Sequence, residues 1–186
     1  AGGRSRRMGR DKALLPWGPA TLLDHALARL REACGEVAIL CGPQPRYAER
    51  GVPILTDVVA GAGPLAGLVT ALEADASDLA LLLAVDVPFA PVSLLRYLLQ
   101  RCQGADAAVP FTGGRPHPLC AVYRRTCLDA ARRRLAAGDL KMTAFWPDVR
   151  VVEVREPELS PFGDPDVLLR NLNTLKDYEA ARAADG

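Results

Sequence analysis

The sequence predicts a three-layer α/β/α fold, in which helices cover both faces of a mostly parallel central sheet. Two short runs, residues 37–41 and 79–85, are continuously apolar and bounded by turn residues, which is typical of strands covered on both faces. The segments between and around them carry leucine, valine and alanine at helical spacing. Because strand and helix alternate, we expect ligands to bind at the carboxyl ends of the strands.

Capping residues predict where two helices begin. Thr21 and Thr174 are each followed three residues later by an aspartate. In this arrangement the two side chains satisfy backbone N–H groups that have no partner inside the first helical turn. Helices should therefore begin near Leu22 and Leu175.

Two further boundaries can be read from residue type. Gly138 is expected to end a helix that spans residues 125–137, since glycine commonly terminates helices. Apolar and charged residues alternate over residues 150–156, a pattern that predicts a strand. The proline-rich segment 157–165 should follow this strand as a loop.

Length and composition indicate an ordinary globular domain. The chain has 186 residues, of which 49% are hydrophobic and 24% charged, and its formal net charge is +1. A chain of this length can bury a core without disulfides or a structural metal, so we expect one domain over residues 1–186. The nearly neutral charge gives no general attraction to nucleic acid or membrane, and no apolar run approaches the roughly 20 residues of a membrane span.

The cysteine pattern predicts a reducing compartment. The five cysteines form no C-x-x-C pair and have no histidine at zinc-finger spacing. We therefore expect reduced thiols, most of them buried, in a cytoplasmic protein. Cys41 is the exception, because it ends an apparent strand that should face the predicted site.

The first twelve residues combine three glycines with five cationic side chains. Glycine lets consecutive backbone N–H groups turn inward, and such amides form an anion-binding nest. The segment lacks the Gly-Lys-Ser/Thr ending of a Walker loop. We predict a different triphosphate loop, in which Gly2 and Gly3 supply amides and Lys12 reaches the phosphates. A surface lysine without a role in binding is the alternative for Lys12. Arg7 would stabilise charge on the α-phosphorus and the departing pyrophosphate, whereas the other arginines could simply be solvated.

A carboxylate directly follows the second apolar run. Asp86 stands at the end of this predicted strand, where an acidic side chain is costly unless it is paired or coordinates a cation. Mg²⁺ binds one or two carboxylates together with phosphate oxygens and water, so Asp86 is the predicted metal ligand. The alternative is an N-cap for the helix after Pro91, which lies too far along the chain to use Asp86 well.

Two other segments are candidates for ligand binding. The glycine-rich stretch 61–67 opens a predicted helix, and backbone amides near Gly63 and Gly67 could hydrogen-bond a purine edge or a phosphate. His117 lies among prolines in a turn, a poor place for a core histidine, so we expect it to face a second substrate. An exposed loop histidine is the alternative, and His25, on a helix, is expected to be structural.

These motifs resemble one known family. Residues 2–15 are similar to the signature loop of nucleotidyltransferases with the nucleotide-diphospho-sugar transferase fold, most closely that of the MobA family of molybdenum cofactor guanylyltransferases. The resemblance continues in the family's order and spacing through residues 63–67, 85–89, 115–118 and 171–174. It implies a Rossmann-like nucleotidyltransferase fold. Because family members place a short apolar strand before this loop, we expect such a strand to precede the sequence.

The resemblance also implies which residues contact the nucleotide. Ala1 joins Gly2 and Gly3 in the phosphate loop, and Asp57 matches a family aspartate that contacts the nucleotide. A turn-forming side chain is the alternative for Asp57. Asp86 matches the aspartate that forms the family's metal site.

Two asparagines near the C-terminus are candidates to bind the acceptor substrate. Asn171 and Asn173 alternate on a short predicted strand, so both should face the same side. The family likeness implies that they approach the acceptor or its phosphate, together with His117. Asn173 could in addition cap the final helix.

The implied reaction transfers GMP from Mg²⁺·GTP to the phosphate of molybdopterin and releases pyrophosphate. The implied partners are these two substrates and, transiently, other cofactor-biosynthesis proteins and molybdoenzyme chaperones, without nucleic acid or membrane. A related enzyme that uses CTP or another NTP, with molybdopterin or a sugar phosphate as acceptor, is the nearest alternative. A module that binds nucleic acid through residues 4–12 and a regulator that binds GTP without turnover are the others.

Overall fold

The computed structural model describes residues 11–57, 59, 61–74 and 77–185. Strands and helices alternate along most of this chain, which confirms the predicted α/β fold. The strands are β1 (Pro16–Trp17), β2 (Ala20–Thr21), β3 (Ile39–Leu40), β4 (Ile54–Leu55), β5 (Leu79–Leu83), β6 (Ala107–Thr112), β7 (Arg115–Pro116), β8 (Cys120–Arg124) and β9 (Val151–Val154). The α-helices are α1 (Leu22–Cys34), α2 (Gly63–Ala74), α3 (Val92–Arg101), α4 (Leu128–Ala136), α5 (Glu156–Leu159), α6 (Pro165–Leu168) and α7 (Leu175–Asp185).

The largest sheet of the described residues is mixed, whereas we expected a mostly parallel one. Strand β8 lies between β5 and β6 and runs antiparallel to both. Strand β9 pairs parallel with β6, and β3 pairs parallel with β4 in a separate two-stranded sheet. The chain returns from β6 to β8 through the short strand β7 rather than through a helix, and such short connections join antiparallel strands.

The side chains of β6 and β8 alternate between two buried clusters. On one face Val109 and Tyr123 pack with residues of α2 and α4. On the other face Ala108 and Val122 pack with residues of α3. Because successive strand residues point to opposite faces, helices lie against both sides of these two strands.

Both predicted helix caps are confirmed. The Thr21 hydroxyl accepts the backbone N–H of Asp24 at 3.2 Å, while the Asp24 carboxylate accepts the N–H of Thr21 at 3.2 Å. The same reciprocal pair joins Thr174 and Asp177, at 3.1 and 2.8 Å. Helix α4 is followed by Gly138 with a φ of 75°, as its sequence position predicts.

The cysteines are free thiols, four of them buried and Cys34 exposed. Cys41 is 1% exposed and packs in a core cluster with Ile39 and Tyr47. Within the described ranges, no helix combines the length and the apolar character that crossing a membrane requires.

Candidate active site

The structure brings Lys12 and Asp86 into direct contact. The Lys12 ammonium donates a hydrogen bond to Asp86 Oδ2 at 3.0 Å, although the residues are 74 positions apart. Their side chains are only 14% and 18% exposed. A cation expected to bind phosphate and a carboxylate expected to bind a metal ion therefore meet in one half-buried site.

Asp86 lies in a turn rather than at the end of a strand. Strand β5 ends at Leu83, two residues earlier than the predicted run, and Ala84 still donates its N–H to Leu119 O at 2.7 Å. The Asp86 carbonyl accepts the N–H of Leu172 at 2.9 Å. This bond ties the metal-ligand candidate to the segment that carries the two predicted acceptor asparagines.

Helix α1 holds the turn that follows Asp86. The guanidinium of Arg29, which is 8% exposed, donates to Val87 O at 3.2 Å and to Ala90 O at 2.6 Å. His25 Nε2 is 3.0 Å from Pro88 O, so this histidine is structural, as expected. Burial lowers the pKa of Arg29 to about 10, which leaves it charged at neutral pH.

Replacing Arg29 by methionine should therefore destabilise the protein. The change leaves the buried carbonyls of Val87 and Ala90 without these donors, and each such loss costs about 1–3 kcal/mol. We expect the free energy of unfolding in urea to fall by about 3 kcal/mol. Arg96→Met is the matched control, because Arg96 donates to Glu32 O at 2.8 Å from an exposed position and should change stability little.

Lys12 starts a single turn of 3₁₀ helix that Asp11 caps. Asp11 Oδ1 accepts the N–H of Ala13 at 3.1 Å, and the turn spans Lys12–Leu14. Ala13 is 1% exposed and anchors the turn in the core. The lysine backbone is thus fixed on both sides.

The predicted nucleotide residues beyond this pair lie around the start of α2. Asp57 follows β4, and burial raises the pKa of its carboxyl group. Gly63 is the first residue of α2, with a φ of 69° that favours glycine. Gly67 lies inside the helix instead of in the loop, so its backbone amide is not at the N-terminus as we expected. A Cβ there would lie 3.7 Å from Asp57 Oδ1, an ordinary van der Waals contact, so this part of the helix packs directly beside the carboxylate.

The predicted acceptor residue His117 lines a cleft of about 340 Å³. Its Nε2 shares a hydrogen bond of 2.7 Å with the Thr112 hydroxyl, and burial lowers the pKa of its imidazole. Exposed Arg115 and Arg170 line the same cleft. The side chains that complete the lining are Thr112, Pro116, Asp166, Leu169 and Asn171.

Asn171 and Asn173 are both exposed on either side of the buried Leu172. The predicted alternation is correct, but the segment does not form the strand that we expected. The side chain that caps α7 is Thr174, and Asn173 contributes only its backbone N–H, which donates to Asp177 Oδ2 at 3.1 Å. Hydrogen bonds from Thr174 and Asn173 lower the pKa of Asp177, and the charge of Lys12 contributes in the same direction.

The predictions for Ala1, Gly2, Gly3 and Arg7 concern positions outside the described residues. The site that can be described thus consists of three segments. These are the Lys12 turn, the Asp86 turn and the asparagine segment 171–173, joined by the contacts given above.

Residues 1–158 match the family described as the MobA-like NTP transferase domain. The chain belongs to this family. It is 39% identical over 182 residues to a Pelotomaculum thermopropionicum protein named "Probable molybdenum cofactor guanylyltransferase", which covers 98% of this chain and 89% of the relative.

Solved structures show the same α/β nucleotidyltransferase fold. Molybdopterin-guanine dinucleotide biosynthesis protein A from Archaeoglobus fulgidus matches with a TM-score of 0.84 at 24% identity, covering 99% of this chain and 95% of that one. The 2-C-methyl-D-erythritol 4-phosphate cytidylyltransferase from Thermus thermophilus matches with a TM-score of 0.69 at 23% identity, covering 94% and 93%. These similarities extend across almost the full length of the chain.

Sequence reasoning missed several residues of this MobA-like site. Arg29 could have been found, because it falls on the apolar face of α1, where a cation needs buried acceptors. Arg115 belongs to the same short motif as His117, and its charge next to this histidine is the signal that could have identified it. Arg170 and Asp166 carried no signal, since only the folded chain places them beside β7.

Proposed function

We propose that this chain transfers GMP from GTP to the phosphate of molybdopterin, which forms the guanine dinucleotide cofactor and releases pyrophosphate. The observation that carries this proposal is the 3.0 Å contact between Lys12, the proposed phosphate-binding cation, and Asp86, the proposed metal ligand in the turn after β5. Family membership supports nucleotidyl transfer, and the name of the 39% identical relative supports guanylyl transfer to the molybdenum cofactor.

The chemistry needs no general base. A phosphate monoester has a second pKa of about 6, so the acceptor phosphate is already ionised at neutral pH. The main obstacle is the repulsion between this anion and the triphosphate. Lys12 offsets that repulsion and helps to align the two groups, while Arg7 would stabilise charge on the departing pyrophosphate.

The residues present fit a magnesium ion that arrives with the nucleotide. In the part of the chain that the structure describes, no three His, Cys, Asp or Glu side chains form a metal cage. Mg²⁺ does not require one, because it is commonly held by one or two carboxylates with phosphate oxygens and water. Asp86 is the proposed ligand, and the bound ion would neutralise phosphate charge. Asp86 would then contact the ion and Lys12 the phosphates, which keeps both charges paired.

The nucleotide would extend from the phosphate loop toward the start of α2. Ala1, Gly2 and Gly3 are the proposed phosphate-binding residues. The backbone N–H groups at the start of α2, beginning at Gly63, can donate hydrogen bonds to a phosphate or to a purine edge. Asp57, which lies beside Gly67 of this helix, is the proposed carboxylate contact to the nucleotide.

The acceptor would occupy the cleft that His117 and Asn171 line. Among the described residues, no ion pair within 4.0 Å involves Arg115 or Arg170, which leaves both guanidinium groups available to an anionic ligand. Molybdopterin carries a phosphate, so its charge is complementary to this lining. The Leu172–Asp86 bond brings the asparagine segment, including Asn173, to the metal-ligand candidate.

Arg170→Ala should weaken acceptor use selectively. Losing one charge-assisted contact typically costs 1.5–3 kcal/mol when the contact is well formed, so we expect KM for molybdopterin to rise about tenfold or more. The dissociation constant of GTP should stay unchanged, because Arg170 is assigned to the acceptor cleft. Arg155→Ala is the control, as Arg155 is also exposed but pairs with Glu153. Equal KM values for molybdopterin in the wild type and in Arg170→Ala would show that Arg170 does not bind the acceptor.

Several broader features belong to the same proposal. Residues 1–186 would form a single nucleotidyltransferase domain with helices on both sides of its sheet, an arrangement that the two core clusters support. The free thiols are compatible with a cytoplasmic enzyme. Transient contacts with other cofactor-biosynthesis proteins and molybdoenzyme chaperones would deliver the substrate and receive the product.

An isotope experiment tests the type of transfer. The purified protein is incubated with molybdopterin, Mg²⁺ and GTP labelled with ³²P at either the α or the γ position. Nucleotidyl transfer moves the α label into the acceptor product and the γ label into pyrophosphate. Transfer of the γ label to the acceptor would show a kinase instead, and absence of label from every product would refute the proposed activity.

A further inference from the structure

Tyr47 has an unusual backbone conformation close to the Lys12 turn. Its φ of 68° lies in the left-handed region, and no other non-glycine residue among those described has a positive φ. A bulky side chain rarely adopts this conformation, because its Cβ crowds the backbone. Strain of this kind persists only where surrounding contacts determine it, and it is concentrated at functional sites.

The contacts of Tyr47 lead to Asp11. The side chain is 6% exposed, and its hydroxyl donates to Asp11 Oδ2 at 2.7 Å. Arg46 donates to the same oxygen at 3.1 Å, and its guanidinium lies 5.1 Å from the centre of the Tyr47 ring. Burial and the bond to Asp11 raise the pKa of Tyr47, so the hydroxyl keeps its proton and acts as a donor.

Asp11 connects these contacts to the lysine. Asp11 Oδ2 accepts hydrogen bonds from the Tyr47 hydroxyl and the Arg46 guanidinium. Asp11 Oδ1 accepts the N–H of Ala13 and so caps the turn that begins at Lys12. Ala13 and Tyr47 pack in the same core cluster. The Tyr47 hydroxyl therefore orients the Asp11 carboxylate, which in turn binds the N–H of Ala13. These two residues flank Lys12, whose side chain reaches Asp86.

We propose that Tyr47 is a positioning residue for nucleotidyl transfer, which acts through Asp11 to fix the backbone from which Lys12 reaches Asp86 and the nucleotide phosphates. This inference rests on the proposed function of Lys12. The Tyr47 ring fills the core, whereas its hydroxyl orients Asp11. Removing the hydroxyl oxygen alone therefore separates the positioning role from the packing role.

Tyr47→Phe keeps the ring and removes the hydroxyl. We expect kcat to fall about tenfold and GTP binding to weaken several-fold, as is typical when a group that orients a site residue is lost. Tyr97→Phe is the matched control, because the Tyr97 hydroxyl donates to Glu158 Oε1 at the same distance, 2.7 Å, from another part of the fold. The control should change neither quantity.

A double-mutant cycle with Lys12→Ala separates positioning from a merely structural role. If Tyr47 acts through Lys12, Tyr47→Phe causes no further loss of kcat or GTP affinity in the Lys12→Ala protein. Asp11→Asn should behave in the same way, since asparagine keeps one oxygen to cap the turn but loses the second acceptor. Additive losses in the cycle, or a Tyr47→Phe protein with wild-type kcat and GTP affinity, would overturn the inference.

The test also distinguishes the inference from the proposed function. A wild-type protein that binds GTP but transfers no GMP would refute the function, whereas the cycle measured on GTP affinity by calorimetry would still decide the role of Tyr47. Unfolding midpoints of all variants show whether any loss follows from lower stability. An active wild type with an additive cycle would refute the positioning role alone.

Discussion

Replacing Asp86 by alanine should abolish GMP transfer while leaving the fold intact. The carboxylate is the proposed ligand of Mg²⁺, and without it the charge of the triphosphate and the acceptor is no longer offset at the point of reaction. We expect kcat to fall by about 10³-fold or more, the scale on which enzymes lose activity when charge stabilisation at the reacting centre is removed. The measurement is pyrophosphate release from GTP at saturating Mg²⁺ and molybdopterin.

The fold should survive this change because Asp86 is not part of the packed core. Its backbone carbonyl, which holds Leu172, is unaffected by the substitution, and Arg29 still binds the following turn. Asp148→Ala is the matched control, since it removes a carboxylate that pairs with Arg134 at 2.9 Å in another region. Mg²⁺-dependent turnover near the wild-type rate in Asp86→Ala would refute the metal assignment.

Lys12→Ala should cause the next largest loss. The lysine is assigned to the phosphates of GTP both before and during transfer, so the variant should show weaker GTP binding and a kcat reduced by about 10²–10³-fold. Its absence also leaves Asp86 without its cationic partner, which raises the electrostatic cost of a second anion nearby. Calorimetric titration of GTP and steady-state pyrophosphate release measure the two effects separately.

Lys141→Ala provides the comparison for Lys12→Ala. Lys141 is an exposed lysine after α4, so its removal changes the net charge equally without touching the Lys12–Asp86 contact. We expect wild-type GTP affinity and turnover in this variant. If Lys12→Ala and Lys141→Ala behaved alike, the effect of Lys12 would be one of general charge, and the proposed direct contact with phosphate would be wrong.

The features that the sequence predicts well are local or depend on one residue type. Thr21 and Thr174 were identified as caps because the motif and its geometry both lie within four residues. The proximity of Lys12 and Asp86 was expected from their predicted ligands, because the phosphates of a nucleotide and the Mg²⁺ bound to them lie side by side. The two side chains make this contact although the residues are 74 positions apart.

The features that were missed depend on how distant segments pair. Strand direction is absent from composition and periodicity, so the antiparallel position of β8 between β5 and β6 could not be read from its apolar pattern. Likewise, nothing in the sequence near Tyr47 indicates a left-handed backbone, because the partner that holds its side chain is Asp11, far along the chain. Arg170 acquires its place in the cleft only once the C-terminal segment packs beside β7.

Pyrophosphate release with each of the four NTPs, in the presence and absence of molybdopterin, tests guanylyl transfer most directly. Of the four nucleotides, we predict that only GTP releases pyrophosphate, and that this release requires both Mg²⁺ and molybdopterin. The product should be heavier than molybdopterin by one GMP unit. Release with CTP in place of GTP, or with none of the four nucleotides, would contradict the proposed reaction.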